Sequence, residues 1–155
     1  MKRAYNLEAI NRSWTNIGLP EDMSELSFLD VGCWCGGYVK IAEERGAKKA
    51  VGLDAVRSPD LYDIDFIHMD IFSEKFLEIE RFDIVLSRGV LYHVENPISF
   101  LYRLKSSQTK ISKFVFIKHL YASSIEQTIG SPLTLNEVLT TTGQAVISLK
   151  FFNNL

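Results

Sequence analysis

Short apolar runs alternate with segments of helical periodicity along most of the chain. The runs are rich in β-branched and aromatic residues and are almost continuously hydrophobic, which is typical of parallel strands covered on both faces. This alternation predicts an α/β fold with a doubly wound, mostly parallel sheet. The predicted strands are Ser27–Val31, Ala50–Leu53, Phe66–Met69, Phe82–Ser87, Lys113–His119 and Ala145–Phe152.

Capping residues and apolar stripes mark the helices between these strands. Asn96 followed by Pro97 provides an N-cap and a first-turn proline. Thr134 and Glu137 have the spacing of a capping box. The crossover between the second and third strands is short, so it is predicted to be irregular around Pro59. The predicted helices cover residues 7–17, 38–45 and 97–104 and a stretch that begins at residue 134.

Length and charge narrow the class of protein. The chain has 155 residues, of which 46% are hydrophobic and 23% charged, the balance of one globular domain. The net charge of −2 gives no general attraction to nucleic acid or to anionic membranes. No apolar run approaches the length of a membrane span, and no apolar segment follows the basic residues Lys2 and Arg3. We therefore expect a cytoplasmic protein.

The two cysteines, Cys33 and Cys35, are two residues apart. A disulfide between them would be strained, and the sequence has no second Cys/His cluster to complete a metal site. We expect reduced, structural thiols and no metal.

A glycine-rich turn follows the first predicted strand. Gly32 and Gly36 flank Trp34 in this turn, which leads directly into a helix. Such a turn allows backbone N–H groups to approach an anionic ligand group. A dinucleotide fingerprint requires glycine where Trp34 stands, so this pattern argues against one. A tight turn with no ligand is the alternative interpretation.

Acidic residues end the next two strands. Asp54 lies 22 residues beyond Gly32, the place from which a carboxylate can bind both hydroxyls of a ribose. Asp70 ends the third strand, where it can accept from a purine amine, with Ala55 and Ile71 in apolar contact with the ring. Each acid taken singly is equally consistent with a solvated strand end or a helix cap.

These segments resemble the motifs of class I S-adenosylmethionine-dependent methyltransferases. Residues 30–36 resemble the first motif of the family, residues 52–54 the ribose-binding second motif, and residues 68–70 the adenine-binding third motif. Residues 82–97 are similar to the segment that lines the methyl-transfer pocket. Within it, the Gly-Val-Leu-Tyr-His run at 89–93 is similar to bacterial enzymes that modify the wobble uridine of tRNA.

The resemblance implies S-adenosyl-L-methionine as the cofactor and assigns residues to it. Arg88, Tyr92 and His93 are the implied catalytic residues facing the methyl acceptor, with His93 as a base for a protonated acceptor. Their alternative interpretations are a solvated arginine, a half-buried aromatic ring and a capping histidine. The implied cofactor-binding residues are Asp30, Gly32, Cys33, Trp34, Gly36, Asp54, Ala55, Asp70, Ile71 and Ser87.

The resemblance also implies a strand order of 3-2-1-4-5 with the sixth strand beside the fifth. The seventh, antiparallel strand of the family is expected to be missing, and the exposed sheet edge offers a surface for a homo-oligomer. We expect one methyltransferase-like domain over 1–155. It divides into a helical lead-in at 1–26, a cofactor-binding core at 27–120 and a C-terminal helix and strand at 121–155.

The predicted function is S-adenosylmethionine-dependent methyl transfer to an unknown small molecule or RNA. Trp34 and the missing strand motivate one alternative, a non-catalytic cofactor-binding or scaffold protein of the same fold. A nicotinamide-dependent oxidoreductase is disfavoured by Trp34 and by the acid at Asp30. The late basic residues predict a solvated surface rather than an RNA path; they are Arg103, Lys105, Lys110, Lys113 and Lys118.

Overall fold

A computed structural model of the chain describes residues 6–109, 114–119, 137–139 and 145–149. Its helices are α1 (Leu7–Ile17), α2 (Gly37–Glu44) and α3 (Pro97–Ser106). Two short 3-10 helices, Glu74–Glu78 and Leu91–His93, follow the third and fourth strands. The strands are β1 (Ser27–Val31), β2 (Lys49–Asp54), β3 (Asp65–His68), β4 (Ile84–Arg88), β5 (Phe114–His119), β6 (Glu137–Leu139) and β7 (Ala145–Leu149).

The described strands form one mostly parallel sheet in the order β3-β2-β1-β4-β5-β7-β6. The pairs among β1 to β5 are all parallel, whereas β7 runs antiparallel to β5 and β6 antiparallel to β7. The α/β class with a mostly parallel sheet is therefore confirmed. Because the first strands are parallel, their carboxyl ends meet at one edge of the sheet, where ligands bind in open α/β folds.

Helices cover the sheet on both faces, as the nearly continuous hydrophobicity of the strands predicts. Consecutive residues of a strand point to opposite faces, so Phe28 packs with α1 and α2 while Leu29 packs with α3. Trp14 and Phe100, both fully buried, anchor the two cores. The glycine-rich turn thus begins at the end of a strand that is fixed from both sides.

The predicted start of the third helix agrees with the structure. The Asn96 side chain accepts a 2.9 Å hydrogen bond from the Ser99 N–H, and Pro97 opens α3. Residues 55–64, which contain Pro59, form no helix, as expected for so short a crossover. No helix in the described part of the chain is both long and apolar enough to cross a bilayer.

The C-terminal part differs from the prediction. Glu137–Leu139, predicted as helix, is strand β6, and the expected loss of a seventh strand is wrong because the described sheet contains β7 as well. The apolar spacing at 135, 138 and 139 fits a helix or a strand in so short a segment. The three consecutive threonines that follow, Thr140 to Thr142, disfavour helix because their side chains are β-branched. Residues 134–136, which carry the start of the capping box, lie outside the described residues.

Candidate functional site

The turn between β1 and α2 reverses direction through three residues with left-handed backbone. Gly32, Trp34 and Gly36 have φ values of 79°, 50° and 78°. The Gly32 N–H donates a 2.7 Å hydrogen bond to the Leu53 carbonyl, which ties the turn to the neighbouring strand β2. Trp34 adopts a conformation that a residue with a Cβ rarely takes, and its side chain is 46% exposed.

Two glycines of this turn are required by packing against the chain's own side chains. A Cβ on Gly32 would lie 2.1 Å from Cγ2 of Val90, in the loop after β4. A Cβ on Gly36 would lie 2.3 Å from Cδ1 of Ile64. The glycines therefore bring the turn against neighbouring loops, in addition to leaving the backbone N–H groups uncovered.

Asp54 joins the end of β2 to the glycine-rich turn. Its Oδ2 accepts a 2.9 Å hydrogen bond from the Trp34 N–H, and its Oδ1 accepts a 3.0 Å bond from the Val56 N–H. A carboxylate has about four acceptor positions, so both oxygens remain able to accept further donors. Sequence reasoning places Asp54 correctly at the strand end but misses its role in holding the turn.

The segment after β3 presents one polar and one apolar candidate residue. Asp70 is exposed, and its Oδ1 accepts a 2.9 Å hydrogen bond from the Phe72 N–H. Ile71 packs in the core on the α3 face and is only 7% exposed. His68 donates from Nε2 to the Ala55 carbonyl at 2.9 Å, which connects this segment with the loop after β2.

Arg103 holds the same segment from α3. Its guanidinium donates to the carbonyl oxygens of Ile71 at 3.3 Å and Ser73 at 2.7 Å, and it forms an ion pair with Glu74 at 3.0 Å. The Arg103 side chain is only 17% exposed, so its assignment to a solvated surface is wrong. The sequence of α3 shows the charge of Arg103. It does not show the carbonyl oxygens that a loop distant in sequence places beside that charge.

A small cavity opens beside the turn on the α1 and α2 face of the sheet. Asp30, at the end of β1, is 2% exposed. Burial, together with the charge of Asp54, raises the pKa of Asp30 to about 7, while Arg88 opposes this rise. The cavity measures about 120 Å³ and is lined by Ile10, Asp30, Gly32, Cys33, Trp34, Cys35, Gly37, Tyr38 and Arg88.

The cavity unites only part of the predicted site. Arg88 lines it with its guanidinium 5.7 Å from the centre of the Tyr38 ring, so the alternative of a solvated surface arginine is wrong. Ser87 points to the opposite face of the sheet, and its buried Oγ has no hydrogen-bond partner among the described residues. His93 is exposed in the 3-10 helix after β4, and Tyr92 belongs to the same short helix. His93 does not line the cavity, nor do Asp54, Ala55, Asp70 and Ile71.

Cys33 and Cys35 are buried free thiols within the turn. Burial raises the pKa of both thiols, and the nearby charge of Asp30 adds to the effect at Cys33. Thiolate is the reactive form of cysteine, so these environments favour a structural role over a nucleophilic one.

Known proteins resemble the chain in sequence and in fold. A family model described as "Methyltransferase domain" matches residues 3–132. A tRNA U34 carboxymethyltransferase of Colwellia psychrerythraea is 32% identical over an alignment of 126 residues, which covers 74% of this chain and 39% of that protein. The chain thus spans well under half the length of this curated relative.

Solved structures show the same fold. A plantazolicin methyltransferase, BpumL, in complex with a substrate analog and SAH is 25% identical with a TM-score of 0.51, covering 68% of this chain and 44% of that one. An S-adenosylmethionine-dependent methyltransferase from Mesorhizobium loti aligns with a TM-score of 0.56 at 21% identity, covering 70% of this chain and 54% of that one. Because the family model matches residues 3–132, which are most of the chain, the chain belongs to the class I methyltransferase domain family.

Proposed function

We propose that this chain is an S-adenosylmethionine-dependent methyltransferase domain with its cofactor groove along the carboxyl ends of β1, β2 and β3. The observation that carries the proposal is the placement of Asp30, Asp54 and Asp70 at or just beyond the ends of three adjacent parallel strands. In register, Asp30 pairs with Gly52 and Asp54 with His68, so the three acids follow one another across the sheet edge.

Two buried polar atoms support a ligand at this edge. The Ser87 Oγ and the Arg88 Nε have no hydrogen-bond partner among the described residues. Buried polar atoms nearly always have a hydrogen-bond partner. A polar ligand that reaches either atom would supply the missing partner and would therefore bind favourably. The Asp54 carboxylate retains free acceptor positions toward ribose hydroxyls. The residues present therefore fit a cofactor with an amino-acid end and a ribose.

The proposed cofactor contacts follow the order of the strands. The turn after β1 binds the amino-acid end, the end of β2 the ribose, and the segment after β3 the adenine. The residues proposed for these roles are Asp30, Gly32, Cys33, Trp34 and Gly36 for the amino-acid end, Asp54 and Ala55 for the ribose, Asp70 and Ile71 for the adenine, and Ser87 at the centre of the groove.

The chain's own residues act mainly by positioning. When bound, S-adenosylmethionine supplies a methyl group activated by its sulfonium. Holding an acceptor atom in line with that methyl provides most of the acceleration, and no nucleophilic side chain is required. Tyr92 and His93 follow β4 and are proposed to face the acceptor. His93 is proposed as the base for a protonated acceptor, because an imidazole can accept a proton and release it again.

The acceptor is proposed to be RNA or a small molecule. The similarity to a tRNA U34 carboxymethyltransferase supports the RNA class, while the net charge of −2 offers no general attraction to a phosphate backbone. Incubation with tritiated S-adenosylmethionine and bulk tRNA distinguishes the two, because only an RNA acceptor leaves label in acid-precipitable material that ribonuclease removes.

A non-catalytic protein of the same fold, the alternative that Trp34 motivates, is not favoured by the similarity to methyltransferases. Trp34 borders the cavity, yet the residue is 46% exposed. The backbone N–H of Trp34 bonds to Asp54 independently of the indole. The other motive, a missing strand, no longer applies because β6 and β7 extend the sheet.

The proposal also covers the extent of the domain, its cellular location and its assembly. We propose a single domain with residues 27–120 as its cofactor-binding core. The similarity to a tRNA-modifying enzyme supports a cytoplasmic location. The strand β3 lies at one edge of the sheet, and pairing of such an edge with a second copy is the proposed route to a homo-oligomer.

Thermal-shift measurements test the proposed function. S-adenosylhomocysteine or S-adenosylmethionine at about 100 times its Kd should stabilise the chain by about 2.7 kcal/mol, and NAD should not. Asp54→Ala should remove most of this shift, whereas Asp63→Ala, at an exposed carboxylate of the following loop, should retain it. No stabilisation of the unaltered chain by millimolar S-adenosylhomocysteine would contradict the proposal.

A further inference from the structure

The guanidinium of Arg88 is a partly buried cation without a described counter-ion. Arg45 and Arg103 form ion pairs with Glu21 and Glu74. No carboxylate of a described residue lies within ion-pair distance of Arg88, and its Nε is buried without a hydrogen-bond partner among them. Removing a charge from water without a compensating anion is unfavourable, so this arrangement favours binding of an anion.

Both helices of this face hold Arg88 in position. The guanidinium carbon lies 5.7 Å from the centre of the Tyr38 ring of α2. The Tyr38 hydroxyl in turn donates a 2.7 Å hydrogen bond to the Ser13 hydroxyl of α1. The ring orients the cation but does not neutralise its charge, so the hydrogen-bonding capacity of the guanidinium remains for a ligand.

The strand register places Arg88 on the α1 and α2 face of the sheet, the face that carries the cavity beside Asp30. Side chains alternate along β4, so Arg88 shares a face with Ile84 and Leu86, which pack with α1 and α2. It lines the same cavity as Asp30 and the glycine-rich turn. The surroundings of Arg88 therefore favour a contact with the cofactor over the expected contact with the methyl acceptor.

The size and charges of the cavity fit the head group of an α-amino acid. Its volume of about 120 Å³ is several times the space that one water molecule needs. A carboxylate, a Cα and an ammonium group together have five heavy atoms. Arg88 offers a cation and Asp30 an acid on the wall of this one cavity, which complements a zwitterion.

We infer that Arg88 binds the α-carboxylate of the cofactor's amino-acid end, with Asp30 on the side of its ammonium group. A guanidinium can donate two parallel hydrogen bonds to a carboxylate, which fixes its orientation as well as its position. Arg88 is then a cofactor-specificity residue that distinguishes ligands with an amino-acid end from the bare nucleoside. This inference rests on the proposed function.

Calorimetric titration of the full 155-residue chain tests the inference with two ligands. S-adenosylhomocysteine has the amino-acid end, and 5′-deoxy-5′-methylthioadenosine lacks it. Arg88→Met should weaken binding of the first by about 10- to 100-fold and leave binding of the second unchanged. The matched control is Arg81→Met, which removes the same charge at an exposed position and should change neither affinity.

Other outcomes overturn the inference in distinguishable ways. If Arg88→Met binds S-adenosylhomocysteine as tightly as the unaltered chain does, Arg88 does not bind the carboxylate, and the proposed function is not affected. An equal loss for both ligands means that Arg88 supports the shape of the site instead. Failure of the unaltered chain to bind either ligand refutes the proposed function itself.

If Arg88→Met does not fold, the affinities of two ligands for the unaltered chain still test the inference. S-adenosylmethionine and its decarboxylated analogue both carry the sulfonium and differ by the carboxylate. The decarboxylated analogue should bind about tenfold more weakly or worse. Equal affinities would overturn the role of Arg88.

Discussion

The backbone N–H of Trp34 donates a 2.9 Å hydrogen bond to Oδ2 of Asp54. This bond connects the glycine-rich turn after β1 with the end of β2, the two segments proposed to bind the amino-acid end and the ribose of one cofactor. A change in either segment is therefore transmitted to the other through a bond that involves no side chain of Trp34.

Replacing Trp34 separates the indole from the backbone conformation that it occupies. Trp34→Gly and Trp34→Ala both remove the indole, but only glycine adopts a φ of 50° without strain. We expect Trp34→Gly to be about 1 kcal/mol more stable than Trp34→Ala, as measured by urea denaturation. Both variants should bind S-adenosylhomocysteine at least as tightly as the unaltered chain, because the bond to Asp54 remains. A tenfold weaker affinity of both would instead give the indole a binding role.

Two glycine substitutions separate steric clash from backbone strain. Gly32→Ala introduces a Cβ 2.1 Å from Val90 at a φ of 79°, whereas Gly46→Ala has a similar φ of 81° and no atom nearer than 4.0 Å. We expect Gly46→Ala to lose about 1 to 2 kcal/mol of unfolding free energy and Gly32→Ala about 1 to 3 kcal/mol more. Adding Val90→Ala to Gly32→Ala should recover part of the difference. No interaction between the two substitutions in a double-mutant cycle would show that the clash is relieved elsewhere.

The buried carboxyl of Asp30 should make stability depend on pH. Its pKa of about 7 in the folded chain lies above the ordinary value of 3.8 for an aspartate, so the folded state keeps a proton that the unfolded state loses. The resulting stabilisation is complete below about pH 4 and is lost as the pH rises to 7 and slightly above. We therefore expect the unfolding free energy to fall more steeply between pH 4 and 7 than it does in Asp30→Asn. Parallel pH profiles for the two proteins would contradict the assignment to Asp30.

Arg103 should stabilise the segment that carries Asp70 and Ile71. Arg103→Met leaves two backbone carbonyls without their donor, so we expect a loss of about 1 to 3 kcal/mol and faster amide hydrogen exchange over residues 71–76. Glu74→Gln is the matched control, because it removes only an exposed ion pair and should change little. Equal effects of the two variants would mean that the ion pair, and not the carbonyl contacts, holds the segment.

Local sequence signals predicted the elements that line the site. The bounds of β1 and α1 agree with their predicted ranges, and Asn96 with Pro97 marked the start of α3. These elements have strong local determinants, namely apolar periodicity, caps and glycine stops. The segment at Glu137–Leu139 lacked such determinants, because a three-residue apolar pattern fits either period and its pairing with β7 is a non-local interaction.

The proposed site shows the same division. The sequence by itself determined that acids end the successive strands and that a glycine-rich turn precedes α2, because these features depend on the order of neighbouring residues. Only the tertiary structure decided what these groups contact: Asp54 bonds to the turn, Arg103 holds the segment after β3, and Arg88 lines the Asp30 cavity. The reason is physical. Such contacts join residues about 20 to 60 positions apart, and the packing of the sheet and helices, not local propensity, sets their distances.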